Sequence, residues 1–117
     1  MMGLSSGTTR ITPALSGKVL ITVTGNMANS IAGDGASIQL RYGSGSGPSN
    51  AAALTGTAVG VYKNMISSTA GGKQGFVISS ILTGLTVGTG YYIDVGLKAV
   101  TGGTANIYDV DVTAVEL

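Results

Sequence analysis

The sequence predicts an all-β chain, an antiparallel β-sandwich or jelly roll of seven to eight short strands, on three observations. Apolar residues recur with period two in segment after segment, most clearly in residues 91–99. There Tyr91, Ile93, Val95, Leu97 and Ala99 interleave with Tyr92, Asp94, Gly96 and Lys98, the alternation of a half-buried strand. Turn signals separate the segments, supplied largely by 20 glycines among 117 residues. No segment carries apolar residues at helical spacing over a useful length.

Taken in order, residues 8–12 read as a short edge strand that stops at Pro13, which cannot donate to a ladder. The chain then divides into an N-terminal arm with this edge strand, residues 1–13, and a single domain, residues 14–117. Residues 18–24 form a strand with Val19, Ile21 and Val23 on one face, β-branched groups that suit a pleated surface. A Gly/Asn/Ala/Ser loop follows and ends in Gly33-Asp34-Gly35, a tight-turn signal. Residues 37–42 place Ile38, Leu40 and Tyr42 on one face.

Residues 43–54 resemble a linker in composition but fall inside the domain. Long internal loops are functional or mobile, and two readings stand: a crossover between sheets, or a loop that reaches a partner. Residues 57–66 and 74–82 are strands with apolar groups on both sides. Such strands are either central with a covered outer face or part of an oligomer contact. Residues 84–90 form a Gly-rich corner before the strand at 91–99. Tyr91 sits where a tyrosine corner would place it, its hydroxyl tying back to the loop backbone. Residues 104–117 close the chain, with Tyr108, Val110, Val112 and Ala114 alternating with Asp109, Asp111 and Thr113.

Composition narrows the chemistry. A folded chain of 11.5 kDa exposes roughly 5,800 Å² and buries enough for one core without staples. There are no cysteines, so no disulfide framework or thiolate metal site. Histidine is absent too, which removes the commonest general base and metal ligand. Six basic residues are scattered singly and the net charge is +1, so no electrostatic footprint for nucleic acid exists. No apolar run reaches the roughly 18–20 residues of a spanning helix, and residues 1–13 lack the basic start and apolar middle of a signal peptide. No cofactor, metal or membrane contact is expected.

Charged residues make up only 9% of the chain, and mean hydropathy is +0.42. A surface this weakly charged points to faces covered by other chains. The Gly/Ser-rich start (Met1, Met2, Gly3, Leu4, Ser5, Ser6, Gly7) would not order itself, so the arm is expected to lie against a neighbouring chain. Its candidate partner-binding residues are Met1, Met2, Leu4, Arg10 and Ile11. Tyr62 and Tyr92 join them as aromatics expected to face outward.

Polar groups offer little catalytic geometry. Asp109 and Asp111, two apart on a strand, place both carboxylates on one face, a pattern that can bind Ca²⁺ or serve as acid and base but is expected here to be a solvated outer face. Asp34 supplies turn geometry, and Asp94 is expected on an outer face beside Lys98 or Arg41. Gly43-Ser-Gly-Ser-Gly lacks the Lys-Ser/Thr and the helix of a phosphate loop. Serines and threonines have no histidine base. The chain is therefore not expected to be an enzyme.

Two resemblances add to this. Residues 85–91 and the closing 112–117 resemble the end of a fibronectin type III domain, without its Pro-rich start or core Trp. More broadly, residues 11–26, 33–43 and 84–100 with the Val-Glu-Leu end resemble small β-sandwich structural proteins of tailed bacteriophage. That resemblance implies a virion protein assembled in the host cytoplasm. It implies a capsid decoration (cement) protein that binds the major capsid protein and self-associates, with a trimer favoured. The alternative is a tail or fibre module that binds a receptor or glycan. No catalytic residue is implied.

Overall fold

A computed structural model describes residues 1–117. It contains six strands and no helix: β1 (Val19–Asn29), β2 (Gly35–Ser44), β3 (Thr57–Ile66), β4 (Gln74–Leu82), β5 (Tyr91–Ala99) and β6 (Ala105–Glu116). They form two antiparallel three-stranded sheets, β4-β1-β6 and β3-β2-β5. One core cluster draws on both sheets, through Ile21, Val23 and Ile78 from the first and Ile38, Leu40, Ile93 and Val95 from the second. The arrangement is sandwich-like.

The strand count corrects the expected seven to eight, and six strands fall short of the eight of a jelly roll. The missing strand is residues 8–12. Only an isolated bridge between Ile11 and Tyr91 forms there, because Pro13 ends the run and glycines precede it. Two strands also run further than their sequence suggests. β1 extends through Gly25 to Asn29, since Met27 continues its buried inner face.

The inner-face alternation of β1 and β5 is as expected, with Val19, Ile21, Val23, Ile93 and Val95 all buried. That of β6 is not. A register shift lies opposite Gly25, between the Thr24–Asp111 and Asn26–Tyr108 pairs, and Asp109 adopts φ 52° there. The bulge adds one residue and exchanges the faces beyond it. Ile107 therefore packs toward the core with Val110 and Val112, while Tyr108 turns out and lies under the Lys73 ammonium at 4.3 Å.

The expected corner at β5 is present. The Thr86 amide donates to the Tyr91 hydroxyl at 2.9 Å, and the Tyr91 ring packs 6.2 Å from that of Tyr42. This fixes the β4–β5 connection across the end of the core, where Leu85 is buried.

Candidate interaction surface

Each sheet has one face in the core, so the two outer faces decide what the protein can touch. The chain treats them differently.

On the β3-β2-β5 sheet the chain itself covers the outer face of β2 and β5, while β3 stays exposed. The N-terminal arm runs antiparallel along the free edge of β5. Ile11 and Tyr91 exchange backbone bonds, and the Met2 amide donates to the Val95 carbonyl. Between them the Ser5 hydroxyl substitutes for a backbone group, donating to the Ile93 carbonyl at 2.8 Å and accepting from its amide at 3.4 Å. The arm is locked by Asp94, whose carboxylate accepts from the amides of Met2, Gly3, Leu4 and Val95. The 43–54 segment then folds over the arm: Ala51 donates to the Met1 carbonyl, and the Met1 amino group donates to Ala52. The crossover reading of that loop is corrected: β2 and β3 are neighbours in one sheet, so the segment is a connection within that sheet, and it packs on it.

Several expectations are corrected here. The arm is ordered by its own sheet and needs no neighbouring chain to hold it, and Met1 is buried. Met2, Leu4 and Ile11 are half-buried in contacts with β5, and only Arg10 is exposed. Its guanidinium donates to the Leu4 carbonyl at 3.2 Å. Tyr92 is 5% exposed, not outward-facing. Its ring crosses Gly43, where a Cβ would come within 2.6 Å of the hydroxyl, and a side chain at Gly56 would meet the same hydroxyl. Tyr62 remains half-buried, with the Lys98 ammonium 4.6 Å from its ring centre.

Asp94 is fully buried instead of exposed. Although it sits opposite Arg41 in the sheet, the two do not pair. Arg41 donates to the carbonyls of Thr55 and Gly56 and to Gln39, tethering the loop.

Of the expected partner-binding residues, Met1, Met2 and Tyr62 come together. With Leu54, Leu97 and Lys98 they line a shallow cleft of about 450 Å³. Arg10 and Ile11 lie toward the other end of β5, and Tyr92 lies beneath the surface. No group of three acidic side chains is placed to hold a metal ion. Asp109, drawn into the bulge, accepts from Asn26 at 3.1 Å.

Two more carboxylates act as Asp94 does. Asp34 accepts from Gly35, Thr101 and Gly102 and so joins the β1–β2 and β5–β6 connections. This is the turn role read from Gly-Asp-Gly, and the Thr101 amide foremost holds its pKa below the ordinary value. Glu116 accepts from four successive amides, Ala14 to Gly17. These bonds, led by the one from Ala14, lower its pKa from 4.5 to about 2. Three of the five acidic residues are thus spent on clasping loop backbone, which leaves little charge for the surface.

The outer face of β4-β1-β6 has no such cover. Register aligns Ile81, Leu20 and Val115 in one row across the three strands. Ile81 is 52% and Val115 57% exposed, and Val77 on the same face of β4 is 68% exposed. Thr22, Ser79 and Thr113 form the next row. Leu15 and Leu117 add exposed apolar groups near the Glu116 end. In the sequence β4 is apolar on both sides. Its place at a sheet edge with the outer side open follows only from the strand order.

Comparisons with protein-family models, curated proteins and solved structures find no match to this chain.

Proposed function

We propose that the protein is a non-enzymatic binding component of a larger assembly, and that it docks through the outer face of β4-β1-β6. The observation that carries this reading is the asymmetry of the two outer faces. On one, β2 and β5 are covered by the chain's own arm and loop. The other presents the apolar row Ile81–Leu20–Val115, flanked on one side by Thr22, Ser79 and Thr113. Contiguous exposed apolar surface of this kind marks protein contacts.

In its specific form, the reading is a capsid decoration protein of a tailed phage, seated on the major capsid protein of the head. Binding only the assembled shell stabilises that shell by mass action. The clamps of Asp34, Asp94 and Glu116 serve this role by making the body rigid, so that little ordering entropy is lost on docking. Self-association would add the contacts of linked copies by avidity. The glycan-binding alternative loses the aromatic platform it relied on, since Tyr92 is buried and Tyr62 is engaged by Lys98.

The test is co-sedimentation of the purified protein with phage particles lacking it. Val115→Lys places a charge in the apolar row without touching the core. Binding is expected to fall at least about tenfold, equivalent to about 1.4 kcal/mol. Undiminished binding of Val115→Lys would overturn the assignment of this face.

A further inference from the structure

Two sheets of three strands leave four free edges: β4 and β6 in one, β3 and β5 in the other. A free edge is a row of unpaired N–H and C=O groups that templates pairing with another chain unless it is blunted. Three of the four are blunted. The arm lies along β5. β3 carries Lys63 and a register break at Gly60, which has φ 68°. β6 carries the bulge at Asp109, with Asp111 beside it.

β4 has none of these devices. Gln74–Leu82 runs nine residues without a charge or a proline, and it pairs with β1 in unbroken register. Such an edge is the natural site of strand addition.

We propose that the β4 edge binds a second copy of this chain, β4 antiparallel to β4, across a two-fold axis at Ser79. The two three-stranded sheets then become one six-stranded sheet. Three considerations select this occupant and register. Because β4 is uncharged, self-pairing places no like charges opposite each other. With the axis at Ser79, Val77 of each copy faces Ile81 of the other, so the two most exposed apolar side chains of β4 cover one another. A shift of two residues in either direction sets both against Ser, Thr or Gly instead, and a shift of one turns the apolar face over. An antiparallel edge contact is isologous and closes at two copies, so it yields a dimer in place of the trimer expected from resemblance. Each row Ile81–Leu20–Val115 is thereby extended by Val77 of the other copy.

The inference is independent of the docking reading. Shell binding by a monomer would overturn only the dimer, and a dimer that ignores the shell would overturn only the docking. The chain has no cysteine, so single introduced thiols report cleanly. In analytical ultracentrifugation the wild-type protein is expected to sediment at twice the monomer mass and Val77→Lys at the monomer mass. Under mild oxidation Ser79→Cys is expected to cross-link to a covalent dimer, and Thr113→Cys on β6 is not. A wild-type monomer, a trimer, a dimer unaffected by Val77→Lys, or cross-linking through position 113 and not 79 would each overturn the proposal. The cross-link keeps the question decidable should Val77→Lys fail to fold.

Discussion

Asp94 and Gly3 stand 91 positions apart and are joined by a 3.0 Å bond from the Gly3 amide to the Asp94 carboxylate. Around it, Met2, Leu4 and Val95 direct their amides to the same carboxylate. A flexible Gly/Ser-rich start is thereby made into a structural element that covers the β5 edge.

Removing that acceptor should release the arm. Asp94→Ala leaves four amides without their partner. Hydrogen bonds to charged groups are worth about 1.5–3 kcal/mol each when buried. Water will satisfy part of the loss once the arm lifts, so a net cost of about 3 kcal/mol is expected. Hydrogen exchange should show lost protection at residues 2–11 with β1 and β2 still protected. Unchanged protection of the arm would contradict the clamp.

Glu116 makes acid stability readable. Its pKa is depressed from 4.5 to about 2 in the folded protein, so the folded state binds its proton less readily than the unfolded state. The stability it contributes is fully present above pH 4.5 and is lost as pH falls toward 2. Asp34 acts in the same direction. Denaturation midpoints should fall across that window, and Glu116→Gln should make the fall shallower while lowering stability at neutral pH. An equally steep acid transition in the variant would exclude Glu116 as a source.

Tyr91→Phe deletes the hydroxyl that accepts from Thr86 while keeping the ring against Tyr42. Loss of about 1 kcal/mol is expected, the ordinary worth of one hydrogen bond, measured by urea unfolding. A neutral result would mean that the corner is held by Leu85 packing alone.

Gly43→Ala brings a methyl within 2.6 Å of the Tyr92 hydroxyl. Overpacking of this kind costs about 1–3 kcal/mol. The cost should shrink when the ring is removed, so Gly43→Ala in a Tyr92→Leu background forms a double-mutant cycle with marked non-additivity. Additive effects would show that the ring and Gly43 do not constrain each other.

The strands were legible in the sequence because period-two alternation is local: β3, β4 and β5 fall where their patterns place them. Tyr91 was legible as a corner because its Gly-rich approach is also local. Asp94 was not. Alternation put it on an outer face correctly, but only the tertiary return of residues 2–4 buries that face. Tyr92 was misread for the same reason, since its cover comes from Gly43 and Gly56 on another strand and loop. Tyr108 was misread because one inserted residue at Asp109 exchanges the faces of β6, and a bulge at a non-glycine residue leaves no simple mark. The open row Ile81–Leu20–Val115 joins three strands far apart in sequence, so it emerges only once the register is known.

Docking is proposed through the outer face that the chain leaves open. Its most direct measurement is electron cryomicroscopy of intact particles containing the protein. Density for it is expected on the head, with Leu20 and Val115 against the capsid protein and the arm-covered face turned away. Density on the tail, or seating on the shell through the arm side, would contradict it.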